Sequence, residues 1–239
     1  MRKDHRPFVV KKAWVKFEKT YTRHFLKPQL EQLGNGYRFM RPWHVKLFGG
    51  PISIGEYATV VAAPDSHVRL SVWSDLDAHG GISIGRYALI CPGVRISSAR
   101  RISIADSCMI ANGAYITDSD WHGIYDRVGT GEAAPVTLEK NTWIGDSAII
   151  CKGVTVGENS IVGAGSVVVD TIPANTVAAG NPARVVKQLD PEKTVVSRRH
   201  FFKDADTLSR RFTQWDRAML ENNTFREWLR HLLIPRKGE

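Results

Sequence analysis

Cysteine is scarce in this chain, with three in 239 residues, at Cys91, Cys108 and Cys151. So few and so widely spaced a set is not expected to supply metal ligands or a nucleophile. No cysteine or histidine pair has the spacing of a zinc site. No apolar run reaches membrane-spanning length. The N-terminus runs straight into charged residues without the apolar core of a signal peptide, so the chain is expected in the cytoplasm. There is no phosphate-binding P-loop and no dinucleotide glycine fingerprint. Acidic residues are also short in number: 24 Asp and Glu stand against 33 Lys and Arg, a net charge of +9. That balance suits an anionic ligand, such as a phosphorylated cofactor, or an anionic surface. A hydrophobic content of 43% is ordinary for one sizeable domain with appendages.

What the sequence does have is a strict rhythm over residues 136–187. An aliphatic residue returns every six positions: Leu138, Ile144, Ile150, Val156, Val162 and Val168. A small residue usually follows it, as at Gly145, Cys151, Gly157 and Gly163. The position four beyond each aliphatic is again modest: Thr142, Ala148, Val154, Ser160 and Ser166. A period of six fits neither a helix nor one long strand. It fits a chain that turns the same corners repeatedly, each coil stacked on the last at strand spacing, with the aliphatics pointing inward. Gly153, Asn159, Gly165 and Asn175 sit where corners need positive φ. Cys91 and Cys151 occupy the small slot and Cys108 the position-four slot, so all three are expected as buried small hydrophobes.

The stretch TWIGDSAIICKGVTVGENSIVGAGSVVVDTIPANTVAAGNPARVVK resembles the hexapeptide-repeat acyltransferases, and within them the maltose, galactoside and nodulation acetyltransferase branch. The resemblance implies a mainly β fold, a left-handed parallel β-helix, here with an N-terminal helical segment and a C-terminal helical extension. The left hand comes from the resemblance alone, since parallel crossovers are otherwise right-handed. The expected division is a cap over residues 1–50, the β-helix over 51–188 and an extension over 189–239.

Residues 1–33 are basic and amphipathic, with Trp14, Phe17, Tyr21, Phe25 and Leu26 at helical spacing and Pro28 interrupting. Two readings stand: a cap packed on the coils, or a membrane-surface helix. Residues 34–50 read as loop and short strand, and the first recognisable repeat opens at Ile52. The period breaks over 64–81, where Trp73, Asp75, Asp77 and His79 either line an acceptor pocket or form a polar turn, and it slips at Arg100 and Arg101. A second excursion spans 118–135. Beyond the repeat, Leu208, Phe212, Trp215 and Met219 form one helical stripe and Phe225, Trp228, Leu229 and Leu232 another. Asp204 or Asp206 is expected to cap the first helix, and Asn223 or Thr224 the second.

His122, in the second excursion, is the main candidate for chemistry. Acyl transfer to a hydroxyl or amine needs a base that exchanges a proton near neutral pH, which histidine does unperturbed. Spacing alone leaves a lone loop histidine as a solvated side chain. The resemblance places the catalytic histidine on the segment before a VTLEKNTWIG-type coil, where His122 is the only one. A carboxylate would fix its tautomer; Asp120 is favoured over Asp118 and Asp126. Trp121, Tyr125, Asp126 and Arg127 are candidates for the acceptor side.

The resemblance further implies acetyl-CoA as co-substrate, lying against Trp143, Gly145, Gly163, Ala164, Gly180, Asn181 and Pro182, with Arg184 and Lys187 near cofactor phosphate. It implies a homotrimer with the active site between protomers. Asp146 and Val169 replace hydroxyl residues of the galactoside type, Asp170 stands where lysine is common, and Gly93 replaces an acceptor-side asparagine, so the acceptor is not expected to be a simple β-galactoside. The expected activity is acyl-CoA-dependent O- or N-acylation of a sugar or glycan precursor, with no metal and no nucleic acid. Two alternatives are a zinc hydratase, which would need His67, His79 and His122 to converge, and a non-catalytic scaffold whose basic termini bind a membrane or another anionic partner.

Overall fold

The computed structural model describes residues 4–73 and 80–236. Its centre is a parallel β-helix with three flat faces. Every coil contributes one short strand to each face, so each sheet pairs every third strand along the chain. The first face carries Gln32–Leu33, Ile52–Ile54, Gly81–Ile84, Arg101–Ile104, Val136–Leu138 and Thr155–Val156. The second runs from Arg38–Met40 through Thr59–Val61, Leu89–Ile90, Met109–Ile110, Trp143–Ile144 and Ile161–Val162 to Thr176–Gly180, and ends in the antiparallel strand Ala183–Gln188. The third holds Val45–Phe48, Val68–Val72, Arg95–Ser98, Tyr115–Thr117, Ile149–Ile150 and Val167–Val168.

The six-residue rhythm is the cause of this shape. Leu138, Ile144, Ile150, Val156, Val162 and Val168 are fully buried and meet in the common interior. The position-four residues point inward too, and Thr142, Ala148, Val154, Ser160 and Ser166 are all buried. The buried hydroxyls among them are satisfied. Ser160 Oγ donates to the Pro173 carbonyl at 2.6 Å, and Ser166 Oγ accepts from Gly180 N at 3.1 Å. The four corner residues expected in the left-handed region are all there, with φ between 57° and 74°.

Three expectations need correction. The segment 34–50 does hold short strands, but it does not merely precede the repeats: Gln32–Leu33, Arg38–Met40 and Val45–Phe48 already form a complete coil, in register with the next. Nor does the chain leave the prism over the described first part of the break, residues 64–73. Val68, Leu70 and Val72 are buried and their strand pairs on both sides. Extra residues in the turn at 64–66, closed by the Ala63–Ser66 bridge, shift the phase without changing the face. Of the cluster proposed there, Trp73 is described, while Asp75, Asp77 and His79 lie outside the described residues. Finally, only Cys108 is buried, whereas Cys91 and Cys151 are half-buried.

Helix α1 (Phe8–Tyr21) closes the N-terminal end. Trp14, Phe17 and Tyr21 pack their rings on Trp43 at 5.3–5.9 Å, and Glu18 accepts from Arg41 N at 2.8 Å. The chain then tightens through Thr22–Leu26 and a turn at Pro28 into the first coil. No helix among the described residues is long and apolar enough to cross a membrane. After the repeat come α2 (Arg198–Phe201), α3 (Ala205–Met219) and α4 (Phe225–Leu233). Asp204 caps α3 through Thr207 N and Thr224 caps α4 through Glu227 N. The extension is tied to the prism by Arg198, which donates to the Tyr87 carbonyl at 2.8 Å, and by Phe202 against Tyr57 and Tyr87. It meets the N-terminus where Asn223 donates to the Asp4 and Arg6 carbonyls. Trp215, Met219, Phe225, Leu229 and Leu232 remain largely exposed.

Candidate active site

The second excursion leaves the prism at the edge between the third and first faces. Its base is zipped: Ser119 and Ala133 form an antiparallel bridge, Asp120 N donates to the Glu132 carbonyl, and Ala134 N donates to the Asp118 carbonyl. Beyond that base the loop stands in solvent. Tyr125 is 100% exposed, Val128 96% and Ile124 77%. His122 is exposed as well.

The three aspartates around His122 are each engaged elsewhere. Asp118 is fully buried and accepts from Ser98 Oγ (2.8 Å), Ala99 N (2.6 Å) and Arg100 N (2.9 Å). It therefore secures the slip in the repeat at Arg100 and Arg101. Asp126 accepts from Val128 N and Gly129 N and shapes its own turn. Asp120, the expected partner of His122, is instead 2.9 Å from Lys152 Nζ, with Glu132 at 3.4 Å on the same ammonium. These carboxylates hold the Lys152 pKa above its ordinary value, Asp120 contributing most through its hydrogen bond. Among the described residues no hydrogen bond joins the His122 ring to any of the three. Sequence reasoning missed Lys152 because it lies one full coil further along the chain. Only its place beside the small-slot residue Cys151 hinted that it points outward at this edge.

Of the acceptor-side candidates, Trp121 is fixed most firmly. Its Nε1 donates to Thr117 Oγ1 at 3.1 Å, and its ring meets Trp73 at 6.5 Å, nearly edge to face. Tyr125 and Arg127 project freely at the loop tip.

The cofactor candidates come together on a different edge, between the second and third faces. Gly145 N donates to the Val162 carbonyl and Gly163 N to the Ala178 carbonyl, so Gly145, Gly163–Ala164 and the Gly180–Asn181–Pro182 turn stack as one column. A Cβ on Gly145 would fall 2.6 Å from Ala164 N and from Val162 O. Glycine is needed there for coil spacing as much as for any ligand. Beside this column the second face presents an outward ladder in register, Leu89, Met109, Trp143, Ile161 and Val177, ending on Lys187. The strip is apolar and ends on a cation. Arg184 is paired with Asp170 at 3.0 Å, both well exposed, so it is not a free phosphate ligand.

The two edges are separated by the whole width of the third face. About six extended residues lie between them, roughly 20 Å. A single chain therefore does not bring His122 beside Gly145, Gly163 and Gly180.

A cavity of about 690 Å³ lies on the remaining edge, beneath residues 189–199. Arg86, Lys140 and Arg199 line it with Asp106 and Glu158, and it contains none of the expected site residues. Its charges largely compensate one another; the Arg86–Asp106 contact, for example, is 2.9 Å. Of the histidines a metal-dependent hydratase would need, His67 packs at a tilt against His44, ring centres 5.0 Å apart, and His79 lies outside the described residues. Among the described residues no cluster of three metal-ligating side chains occurs.

Comparison with known proteins matches residues 135–170 to the family model "Bacterial transferase hexapeptide (six repeats)". The galactoside O-acetyltransferase of Escherichia coli (strain K12) is 34% identical over 125 residues, which cover 52% of this chain and 60% of that protein. The chain thus spans under two thirds of that relative's length. Two solved structures of AntD, an N-acyltransferase from Bacillus cereus, share the fold. The complex with dTDP and coenzyme A has a TM-score of 0.56 at 19% identity, covering 79% of this chain and 96% of that one. The complex with dTDP-4-amino-4,6-dideoxyglucose and coenzyme A has a TM-score of 0.55 at 18% identity, covering 81% and 95%. The matched repeat lies where the inward ladders are most regular, and a sequence relative shares part of the chain with it, so what these comparisons establish is a bacterial transferase hexapeptide repeat over residues 135–170.

Proposed function

We propose that the protein is an acyl-CoA-dependent acyltransferase, using acetyl-CoA, that modifies a hydroxyl or amine of a sugar or glycan precursor. His122 is the general base. It accepts the acceptor's proton while the acceptor oxygen or nitrogen bonds to the thioester carbonyl carbon. The C–S bond breaks, and the proton passes to the departing thiolate. Coenzyme A would lie along Trp143 and the column Gly145, Gly163, Ala164, Gly180, Asn181 and Pro182, with Lys187 at its phosphates and Arg184 available once released from Asp170. Asp120 acts here as a positioning residue, through Lys152.

The observation that carries the reading is the split between edges. An imidazole is presented on a braced loop, yet its own cofactor column is a face-width away. A cyclic trimer resolves this, because each loop then reaches the column of its neighbour. The exposed apolar tip, Ile124, Tyr125 and Val128, would be covered by the same contact. Trp14, Phe17 and Tyr21 of α1 pack on Trp43, which favours a cap over a lipid anchor. The reaction belongs where acetyl-CoA is made and used, in the cytoplasm.

Thiol release from acetyl-CoA with a panel of sugars, amino sugars and nucleotide sugars tests the activity. His122→Ala should lower turnover by about two to four orders of magnitude and leave acetyl-CoA affinity unchanged. Wild-type turnover in that variant overturns the assignment, and a fully active monomer overturns the shared site.

A further inference from the structure

The third face carries an outward surface that the acyl-transfer reading does not use. Along each of its strands, alternate residues point out, and the registers align them into columns. Lys46, Arg69 and Arg95 are in register, followed by Tyr115. Two residues further along each strand, Phe48, Ser71, Ser97 and Thr117 are in register. Ser71 Oγ lies 3.3 Å from Ser97 Oγ, donating to it. From Phe48, at the end of this column, an aromatic row runs through Trp73 to Trp121, toward the edge that bears the His122 loop. The first pair of rings is 4.5 Å apart and the second 6.5 Å. Phe48 and Trp73 are 54% and 56% exposed.

Such a surface is costly to leave bare. Two large aromatic faces stand in water, and among the described residues no carboxylate forms an ion pair with Lys46, Arg69 or Arg95. The Arg95 guanidinium instead lies 4.3 Å over the Tyr115 ring, which holds it in place. The columns are about 7 Å apart, the width of one sugar ring. We infer that this surface binds a pyranoside bearing an anionic group, a carboxylate or a phosphate. Its ring would stack on Trp73, its hydroxyls would hydrogen-bond Ser71 and Ser97, and its anion would take the guanidinium groups of Arg69 and Arg95. Because the aromatic row ends at Trp121, next to His122, the bound saccharide is the acceptor or its extension. That last step rests on the acyltransferase reading, while the binding itself does not.

The test is an equilibrium titration of the full chain followed by tryptophan fluorescence and calorimetry, so that it reads binding without turnover. The probes are a methyl glucuronide oligosaccharide, a hexose 1-phosphate and a neutral hexoside of the same size. Wild type should bind at least one anionic probe at least tenfold more tightly than the neutral one, with affinity falling as salt rises; which one identifies the anion. Arg69→Ala with Arg95→Ala should abolish that preference and leave the neutral probe unchanged. Trp73→Ala should weaken every probe about tenfold, and Trp73→Tyr, which keeps an aromatic face if the alanine variant misfolds, should restore most of it. His122→Ala should bind as wild type does, which separates failure of the catalytic reading from failure of this one. Equal affinity for neutral and anionic probes, or a charge preference that survives loss of both arginines, overturns the proposal.

Discussion

Asp120 Oδ2 and Lys152 Nζ lie 2.9 Å apart, so the carboxylate two residues before His122 is held by the following coil and not by the imidazole. Both side chains are partly exposed, and a pair of that kind contributes little to global stability, about 1 kcal/mol or less. Its consequence is local. Lys152→Met should shift the melting temperature by no more than about 4 °C, while hydrogen exchange at residues 121–131 speeds up. Turnover should fall about tenfold, with the Michaelis constant for acetyl-CoA unchanged. Unchanged exchange in the loop would show that the bridge between Ser119 and Ala133 holds it alone.

Gly145 and Gly165 separate two reasons for a glycine at a corner. A Cβ at Gly145 meets the backbone of the next coil at 2.6 Å, and backbone cannot step aside. At Gly165 a Cβ meets nothing within 4 Å, and only its φ of +65° resists a side chain. Gly165→Ala should therefore cost about 1–2 kcal/mol. Gly145→Ala should cost more than about 3 kcal/mol, or leave the chain insoluble. Urea denaturation of both variants checks the order, and equal costs would mean the coils can move apart there.

The inward ladder was legible because burial in this fold is decided locally. Whether Ile144 or Val162 faces the interior depends only on its place in a six-residue turn, and nothing distant alters it. The helix caps were half legible: Asp204 and Asp206, or Asn223 and Thr224, are chemically equivalent, and only the backbone path selects Asp204 and Thr224. The strand Val68–Val72 was missed although its apolar residues alternate, because the turn at 64–66 shifts the phase that the eye follows. The first coil, 32–48, was missed for a related reason: Phe39 and Val45 take the inward positions without the Ile-x-Ile-Gly spelling of later coils. Around His122 almost nothing was legible, because an irregular loop has no period. Three nearby aspartates were visible, but their partners, Ser98 and Lys152, come from other coils.

Asn159 sits at the centre of a corner ladder. Its backbone has φ +60°, its side-chain oxygen accepts from Asn141 at 2.9 Å, and its amide donates to Asn175 at 3.0 Å. Alanine loses both the tolerance for left-handed backbone and the two hydrogen bonds, and Asn159→Ala should cost about 2–3 kcal/mol. Asn159→Gly keeps the backbone tolerance and should cost about 1 kcal/mol. If the two variants are equally stable in urea, backbone strain is not part of the corner's energetics.

Burial raises the pKa of all three thiols, and Cys108 is the most enclosed of them. Its Sγ donates to the Glu139 carbonyl at 3.1 Å and accepts from Thr142 Oγ1 at 3.2 Å. A thiol raised by burial holds its proton more tightly when folded than when unfolded. Its contribution to stability is therefore complete below the unfolded thiol value, about 8.5, and is lost progressively as pH rises above it. Lys152, also raised, loses its contribution in the same direction but only above about pH 10.4. Between pH 8.5 and 10 the melting temperature should fall, and Cys108→Ala should flatten that fall while starting from a lower value. In the same window iodoacetamide should modify Cys91 and Cys151 slowly and leave Cys108 untouched until urea unfolds the coils, as peptide mass mapping would show. Modification of Cys108 in the folded protein would mean that its coil opens on the timescale of the labelling.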